Sequence, residues 1–215
     1  MPDLTPVPSP GIPLWYGEAG HPLLVVVHDW FGRLPSVEPI AETLARIGFR
    51  VVVPDLYDGW CCTDEDNAAM LLRALDVART LELLDEVIGD ARVEGSTRVG
   101  TLGFSMGGWL ALLHAQGGAA DAVVAYYATV GVDEDGVIPN PVLLQFAEQD
   151  DWSAGAEPES FVERLTDYGT PVEQFTYLAT KHSFANASIA ERFDANATAL
   201  AFARSARFLE QQLLE

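Results

Sequence analysis

Two apolar runs without polar interruption, Leu23 to Val27 and Val51 to Val53, constrain the fold more than any other feature of the chain. A strand wetted on one face alternates polar and apolar side chains. A run with no alternation fits a strand covered on both faces, as central strands of parallel sheets are. Similar short runs recur, and the strand candidates are Leu23 to Asp29, Arg50 to Tyr57, Thr97 to Phe104, Ala119 to Tyr127, Pro141 to Phe146 and Val172 to Leu178. Between and after them the spacing of apolar residues predicts helices over Val37 to Ile47, Asp66 to Ile88, Met106 to Ala115, Pro158 to Tyr168 and Ile189 to Leu214. This alternation predicts an α/β fold, a mostly parallel central sheet with helices on both faces. The chain has no internal repeat, and its breaks fall at Gly/Pro/Asp clusters such as Gly131 to Gly136. A single domain over residues 1–215, with a Pro-rich lead at 1–13, is therefore expected.

Charge narrows the partners. The 215 residues carry 12 Lys and Arg against 32 Asp and Glu, a formal net charge of −20. Nucleic-acid affinity rests on basic side chains that neutralise phosphates, so neither nucleic acid nor an anionic membrane surface is an expected partner. The lead has five prolines and no Lys or Arg, unlike a secretory signal. No run approaches the roughly 20 apolar residues of a membrane helix. The only cysteines, Cys61 and Cys62, are adjacent and cannot staple distant segments, which suits a reducing, cytoplasmic setting.

Open parallel sheets do their chemistry at the carboxyl ends of their strands. There Gly103-Phe104-Ser105-Met106-Gly107 matches G-x-S-x-G, after a strand candidate and opening a helix candidate. That context predicts a nucleophile elbow, a strained turn that presents the serine side chain. A serine hydroxyl needs a base, and the base needs a partner that fixes its tautomer. Of the four histidines, His182 lies after the Val172 to Leu178 strand and before the last helix, where it can reach the elbow. The Pro141 to Phe146 strand runs into Ala147-Glu148-Gln149-Asp150-Asp151, which offers Asp150 or Asp151 as the orienting acid. The order serine, acid, histidine is the one expected of an α/β-hydrolase. Backbone N–H groups of Met106 and Trp30 are the expected oxyanion donors. Neither a phosphate-binding Gly loop nor a metal-type His/Cys cluster stands out, so no cofactor and no metal is expected.

Several segments together resemble the dienelactone hydrolase family, small α/β-hydrolases that open cyclic enol-lactones and related esters. They are His28-Asp-Trp-Phe-Gly32, Pro54-Asp-Leu-Tyr57, Gly103-Phe-Ser-Met-Gly-Gly108, Ala125-Tyr-Tyr127, Gln149-Asp-Asp-Trp152 and His182-Ser-Phe-Ala-Asn186, followed by a long C-terminal helix. The resemblance implies Asp150 as the acid, an α/β-hydrolase fold and a pocket near Asp29, Phe31, Tyr127, Trp152, Phe184 and Asn186, and the stretch from Asp58 to Asn67 is too short for a large lid.

The chain departs from the family pattern at three positions. Ser105 stands where the best-known members carry cysteine. Asp29 stands where the family places a glutamate against the nucleophile. Asn186 stands where typical lactone hydrolases hold the substrate carboxylate with an arginine. Arg73 is expected on the outer face of its helix, so no guanidinium clamp remains. The sequence thus predicts a serine hydrolase for a small neutral ester or lactone, acting as a monomer or small homo-oligomer. Its rivals are a thioesterase with the same triad and a non-catalytic ligand-binding protein of this fold.

Overall fold

The computed structural model describes residues 4–134, 136–150 and 157–215. In chain order the elements are β1 (Thr5–Pro6), β2 (Leu14–Tyr16), β3 (Leu23–Val27), α1 (Glu38–Ile47), β4 (Arg50–Val53), β5 (Trp60–Cys61), α2 (Glu65–Ala74) and α3 (Val77–Val93). They continue with β6 (Val99–Phe104), α4 (Met106–Ala115), β7 (Ala122–Tyr126), β8 (Val142–Gln149), α5 (Pro158–Asp167), β9 (Val172–Lys181) and α6 (Ala195–Leu213). Seven strands form one sheet in the order β2-β4-β3-β6-β7-β8-β9. Every neighbouring pair runs parallel except β2 with β4.

Strand periodicity sorts the apolar side chains between two layers. Leu24, Val26, Val51, Val53 and Leu102 pack with Ala41 and Leu44 of α1 and Phe208 and Leu209 of α6. The intervening Leu23, Val25, Val27, Val52 and Val99 pack on the opposite face with Leu84, Val87 and Ile88 of α3 and Leu110 of α4. Both uninterrupted apolar runs are thus buried on two sides, and no residue of β3 keeps measurable contact with solvent.

Several boundaries differ from the sequence expectation: the strands expected over Leu23 to Asp29 and Arg50 to Tyr57 end at Val27 and Val53, and others differ for a local reason. The helix expected over Asp66 to Ile88 is two helices. Leu75 and Asp76 are extended, and Asp76 caps α3 by accepting a hydrogen bond from the Arg79 N–H, as Asp64 caps α2 through Asn67. The last helix starts at Ala195 rather than Ile189, because Asp194 caps it and accepts from the Ala197 N–H. The eighth strand runs on to Gln149 and the ninth to Lys181, paired across a register shift between Ala147 and Gln149. That extension carries Asp150 and His182 to the carboxyl edge of the sheet.

The Pro-rich lead is integrated into the fold rather than trailing from it. Thr5 and Pro6 pair antiparallel with Cys61 and Trp60, and Leu14–Tyr16 forms the antiparallel edge strand that the sequence reading left without an element. Arg33, nearly fully buried, donates through its guanidinium to the carbonyls of Pro8, Ser9 and Ile12 at 2.6, 3.1 and 2.7 Å. Short polar turns satisfy their backbone acceptors here through one planar cation. Arg33→Ala would leave these carbonyls without that donor. It is expected to cost about 3 kcal/mol, the scale of hydrogen bonds to charged groups, and to open the segment before Leu14 to proteolysis. Chemical denaturation combined with limited proteolysis measures both effects.

Candidate active site

The turn between β6 and α4 holds Ser105 in a left-handed conformation, φ 52° and ψ −117°. Two backbone bonds fix it, from the Ser105 N–H to the Tyr126 carbonyl and from the Trp109 N–H to the Ser105 carbonyl, both 2.9 Å. The flanking glycines are required by close approach. A Cβ on Gly103 would stand 2.1 Å from the Gly107 carbonyl oxygen, and one on Gly107 would stand 2.4 Å from the carbonyl oxygens of Val27 and His28. The helix therefore starts directly against the end of β3, with the serine side chain projected between them.

Three residues far apart in sequence meet at this edge. The Ser105 Oγ lies 2.7 Å from His182 Nε2, and His182 Nδ1 lies 2.9 and 3.0 Å from the two carboxylate oxygens of Asp150. A carboxylate only accepts, so Nδ1 carries the ring proton and the Nε2 lone pair faces the serine hydroxyl. Ser105 and His182 are both buried, and Asp150 is half-buried. Asp151 and Trp152 lie outside the described residues.

Beside this line is a cleft lined by His28, Asp29, Gly32, Leu34, Ser36, Val37, Ile40, Phe104, Tyr127, Ala185 and Asn186, with about 20 Å³ open to the centre of a water molecule. Asp29, Tyr127 and Asn186 thus border the cleft. Phe31 and Phe184, expected from the sequence in the pocket, do not line it. Phe184 is fully buried and packs against Tyr126, Tyr127 and Tyr177, while Phe31 packs edge-on against Trp30 in the core below the first loop. The sequence reading missed the wall from Leu34 to Ile40. Its signal was position: a helix that begins right after the loop at the carboxyl end of the first central strand turns its first residues toward the cleft.

Two adjacent buried groups set the electrostatics of the cleft in opposite senses. The Leu56 N–H donates to His28 Nε2 at 3.2 Å, and His28 Nδ1 donates to the Asp29 carbonyl at 2.7 Å, so the ring is held neutral in one tautomer. Burial lowers its pKa to about 4. The Asp29 carboxylate accepts from the Phe31 N–H at 3.0 Å and from Asn186 Nδ2 at 2.7 Å. Burial nevertheless raises its pKa to about 6, against the lowering effect of those two bonds and of His182. Arg73 is exposed on α2, as expected.

The model for the dienelactone hydrolase family matches residues 15–213. The chain belongs to the dienelactone hydrolase family. Among curated relatives, carboxymethylenebutenolidase 1 of Cupriavidus pinatubonensis is 28% identical over 87% of this chain and 85% of the relative. The carboxymethylenebutenolidase of Pseudomonas putida is likewise 28% identical, over 89% of this chain and 86% of the relative. A solved dienelactone hydrolase-like promiscuous phosphotriesterase from metagenomic libraries superposes with a TM-score of 0.79 at 17% identity, covering 91% of this chain and 88% of that one. That likeness concerns the fold, and it agrees with the mostly parallel sheet, helices on both faces, of a dienelactone hydrolase-type α/β-hydrolase. No described helix of this family member is long and apolar enough to cross a membrane.

The two buried titrations have opposite linkage. Asp29, raised from 3.8 to about 6, contributes stability at low pH that is lost as pH rises through about 6. His28, lowered from 6.5 to about 4, contributes stability above 6.5 that is lost as pH falls toward 4. Over the same window the slopes oppose each other. Asp29→Asn removes one of them, so its Tm should climb more steeply than that of the parent protein between pH 4 and 6.5, which differential scanning calorimetry across that range measures.

Proposed function

We propose that this dienelactone hydrolase-family protein is a serine hydrolase of small neutral carboxylic esters or lactones that works through an acyl-enzyme on Ser105. The observation that carries the reading is the continuous hydrogen-bonded line from Ser105 Oγ through His182 to Asp150. In the proposed reaction Oγ attacks the substrate carbonyl carbon while its proton passes to His182 Nε2. Asp150 holds the imidazolium through Nδ1–H. The tetrahedral adduct then collapses, the C–O bond to the leaving alkoxide breaks, and Nε2–H protonates that oxygen. Water repeats the same steps on the acyl-enzyme, releasing the carboxylic acid and restoring the serine.

The proposed oxyanion donors are the N–H groups of Met106 and Trp30. Met106 is the first residue of α4, so its N–H has no carbonyl partner within the helix, and the helix dipole adds partial positive charge there. Trp30 sits in the loop at the carboxyl end of β3, where the Phe31 N–H donates to the Asp29 carboxylate at 3.0 Å and the Gly32 N–H to the Asp29 carbonyl at 3.1 Å. The preference for neutral substrates follows from the side chain at position 186. An amide turned onto Asp29 offers no guanidinium to a substrate carboxylate, and Arg73 is exposed on α2. The reading also takes residues 1–215 as one catalytic unit.

A fluorophosphonate probe with peptide mapping, run beside a panel of oxyesters, lactones and thioesters, tests the assignment. Labelling is expected at Ser105 and absent from Ser105→Ala, which should lose ester turnover while melting within a few degrees of the parent. Asp150→Asn keeps a partner for Nδ1 but favours the wrong tautomer, so kcat is expected to fall by about 10³ to 10⁴. The kcat/KM for a neutral short-chain aryl ester should exceed that for a carboxylated lactone, and the reverse preference would overturn the substrate assignment.

A further inference from the structure

The line from Ser105 to Asp150 leaves a second polar cluster unused. Asn186 accepts through Oδ1 from the Ser36 hydroxyl at 3.0 Å and from the Ser188 N–H at 2.9 Å. Its amide orientation is therefore fixed, with the amino group facing Asp29 Oδ2 at 2.7 Å. With the Phe31 N–H on the other oxygen, the Asp29 carboxylate is anchored in the cleft wall by hydrogen bonds that, among the described residues, come from neutral groups. Arg33, the cation of the same loop, spends its guanidinium on the Pro8, Ser9 and Ile12 carbonyls.

Tyr127 lines the same cleft. It is 4% exposed, its backbone is held at φ 40° and its N–H donates to the Gln145 carbonyl at 2.8 Å. Its ring lies 4.9 Å from that of His182 and 5.4 Å from that of Phe184. Among the described buried side-chain atoms that lack a hydrogen-bond partner, its hydroxyl alone belongs to a residue of the cleft wall. The Ala185 N–H lies beside it, yet no group among the described residues meets it in hydrogen-bond geometry. Buried hydroxyls are nearly always paired, and a strained residue with an unpaired one points to a partner that arrives with a ligand. Burial and the nearby carboxylates push the phenol well above its ordinary range, so it remains a donor at any working pH.

We propose that Tyr127 and Asp29 form a subsite for a small neutral hydroxyl group on the acyl part of the substrate, which donates to Asp29 and accepts from Tyr127, and that this subsite rejects a carboxylate. The cleft admits a water molecule and so has room for a hydroxyl. A hydroxyl satisfies both walls at once. A methylene leaves the Tyr127 hydroxyl unpaired and brings no further donor to Asp29, and a carboxylate brings like charge and no proton to Asp29. The inference rests on the hydrolase reading of Ser105 and narrows its substrates to short hydroxyacyl esters or hydroxylated lactones.

The test compares kcat/KM for aryl esters of a short hydroxy acid, its deoxy analogue and a size-matched dicarboxylic half-ester, at pH 8. The parent protein is expected to favour the hydroxyacyl over the deoxyacyl ester by at least about tenfold, since sites built to bind a hydroxyl discriminate strongly against its absence. Tyr127→Phe should bring that ratio to within about twofold of unity, and Asp29→Asn should raise the half-ester relative to the deoxyacyl ester by at least about tenfold. Equal rates for the first two esters in the parent, or an unchanged ratio in Tyr127→Phe, overturn the subsite. No turnover of any ester together with no probe labelling of Ser105 overturns the hydrolase reading instead. In that case calorimetric Kd values of the hydroxyacyl and deoxyacyl methyl esters decide the subsite: tighter hydroxyacyl binding that Tyr127→Phe abolishes supports it, and equal binding sinks it.

Discussion

Backbone packed against backbone at the start of α4 is the constraint on which the rest of the site depends. Gly103 and Gly107 bring the turn into contact with the carbonyls of Val27, His28 and Gly107 itself, at separations no side chain tolerates. That closeness forces Ser105 into its left-handed conformation and aims its hydroxyl at the space above β3 and β6. The strain is sustained because β6 is hydrogen-bonded on both sides, to β3 and to β7, and cannot relax sideways. Everything that meets the serine, from His182 to the first-loop amides, is positioned relative to that rigid turn.

Around it the protein holds polar groups in deliberate imbalance. His28 and Asp29 are neighbours in sequence, yet burial pushes one toward neutrality by lowering its pKa and the other by raising it. Each is paired with backbone or amide groups rather than with an opposite charge, so the cleft carries little compensated charge at its floor. Elsewhere one group of buried polar atoms is satisfied in a chain. Arg204 donates to the Tyr177 hydroxyl, Tyr177 donates to Gln145, and Gln145 donates to Ser205, which also pairs with the Tyr126 hydroxyl, tying α6 to β7, β8 and β9. Of the described buried side-chain atoms without a hydrogen-bond partner, only the Tyr127 hydroxyl belongs to a residue that lines the cleft.

Much of this was legible from residue order. The central strands were readable because burial on two faces abolishes polar alternation, and the elbow because G-x-S-x-G followed a strand and opened a helix. Short elements were not. The two-residue pairing of Thr5–Pro6 with Trp60–Cys61 and the edge strand Leu14–Tyr16 carry too few residues for a periodic signal; β5 and the outer edge of β4 give them partners, and Arg33 ties down the chain between them. The split between α2 and α3 was also missed, since apolar spacing continues across Leu75 and only the capping aspartate marks the break.

The sequence by itself determined the layers, the order of serine, acid and histidine, and the side of the sheet on which they gather, because these follow from periodicity and from turns whose glycines allow one conformation. Tertiary structure alone decided which aromatic rings face the cleft and which are core. It put Phe184 and Phe31 inside and Tyr127 at the wall. It also decided that Asn186 spends its amide on Asp29 rather than on a ligand. The physical reason is that side-chain direction and hydrogen-bond partner depend on segments more than a hundred residues apart meeting in space, which no local pattern encodes.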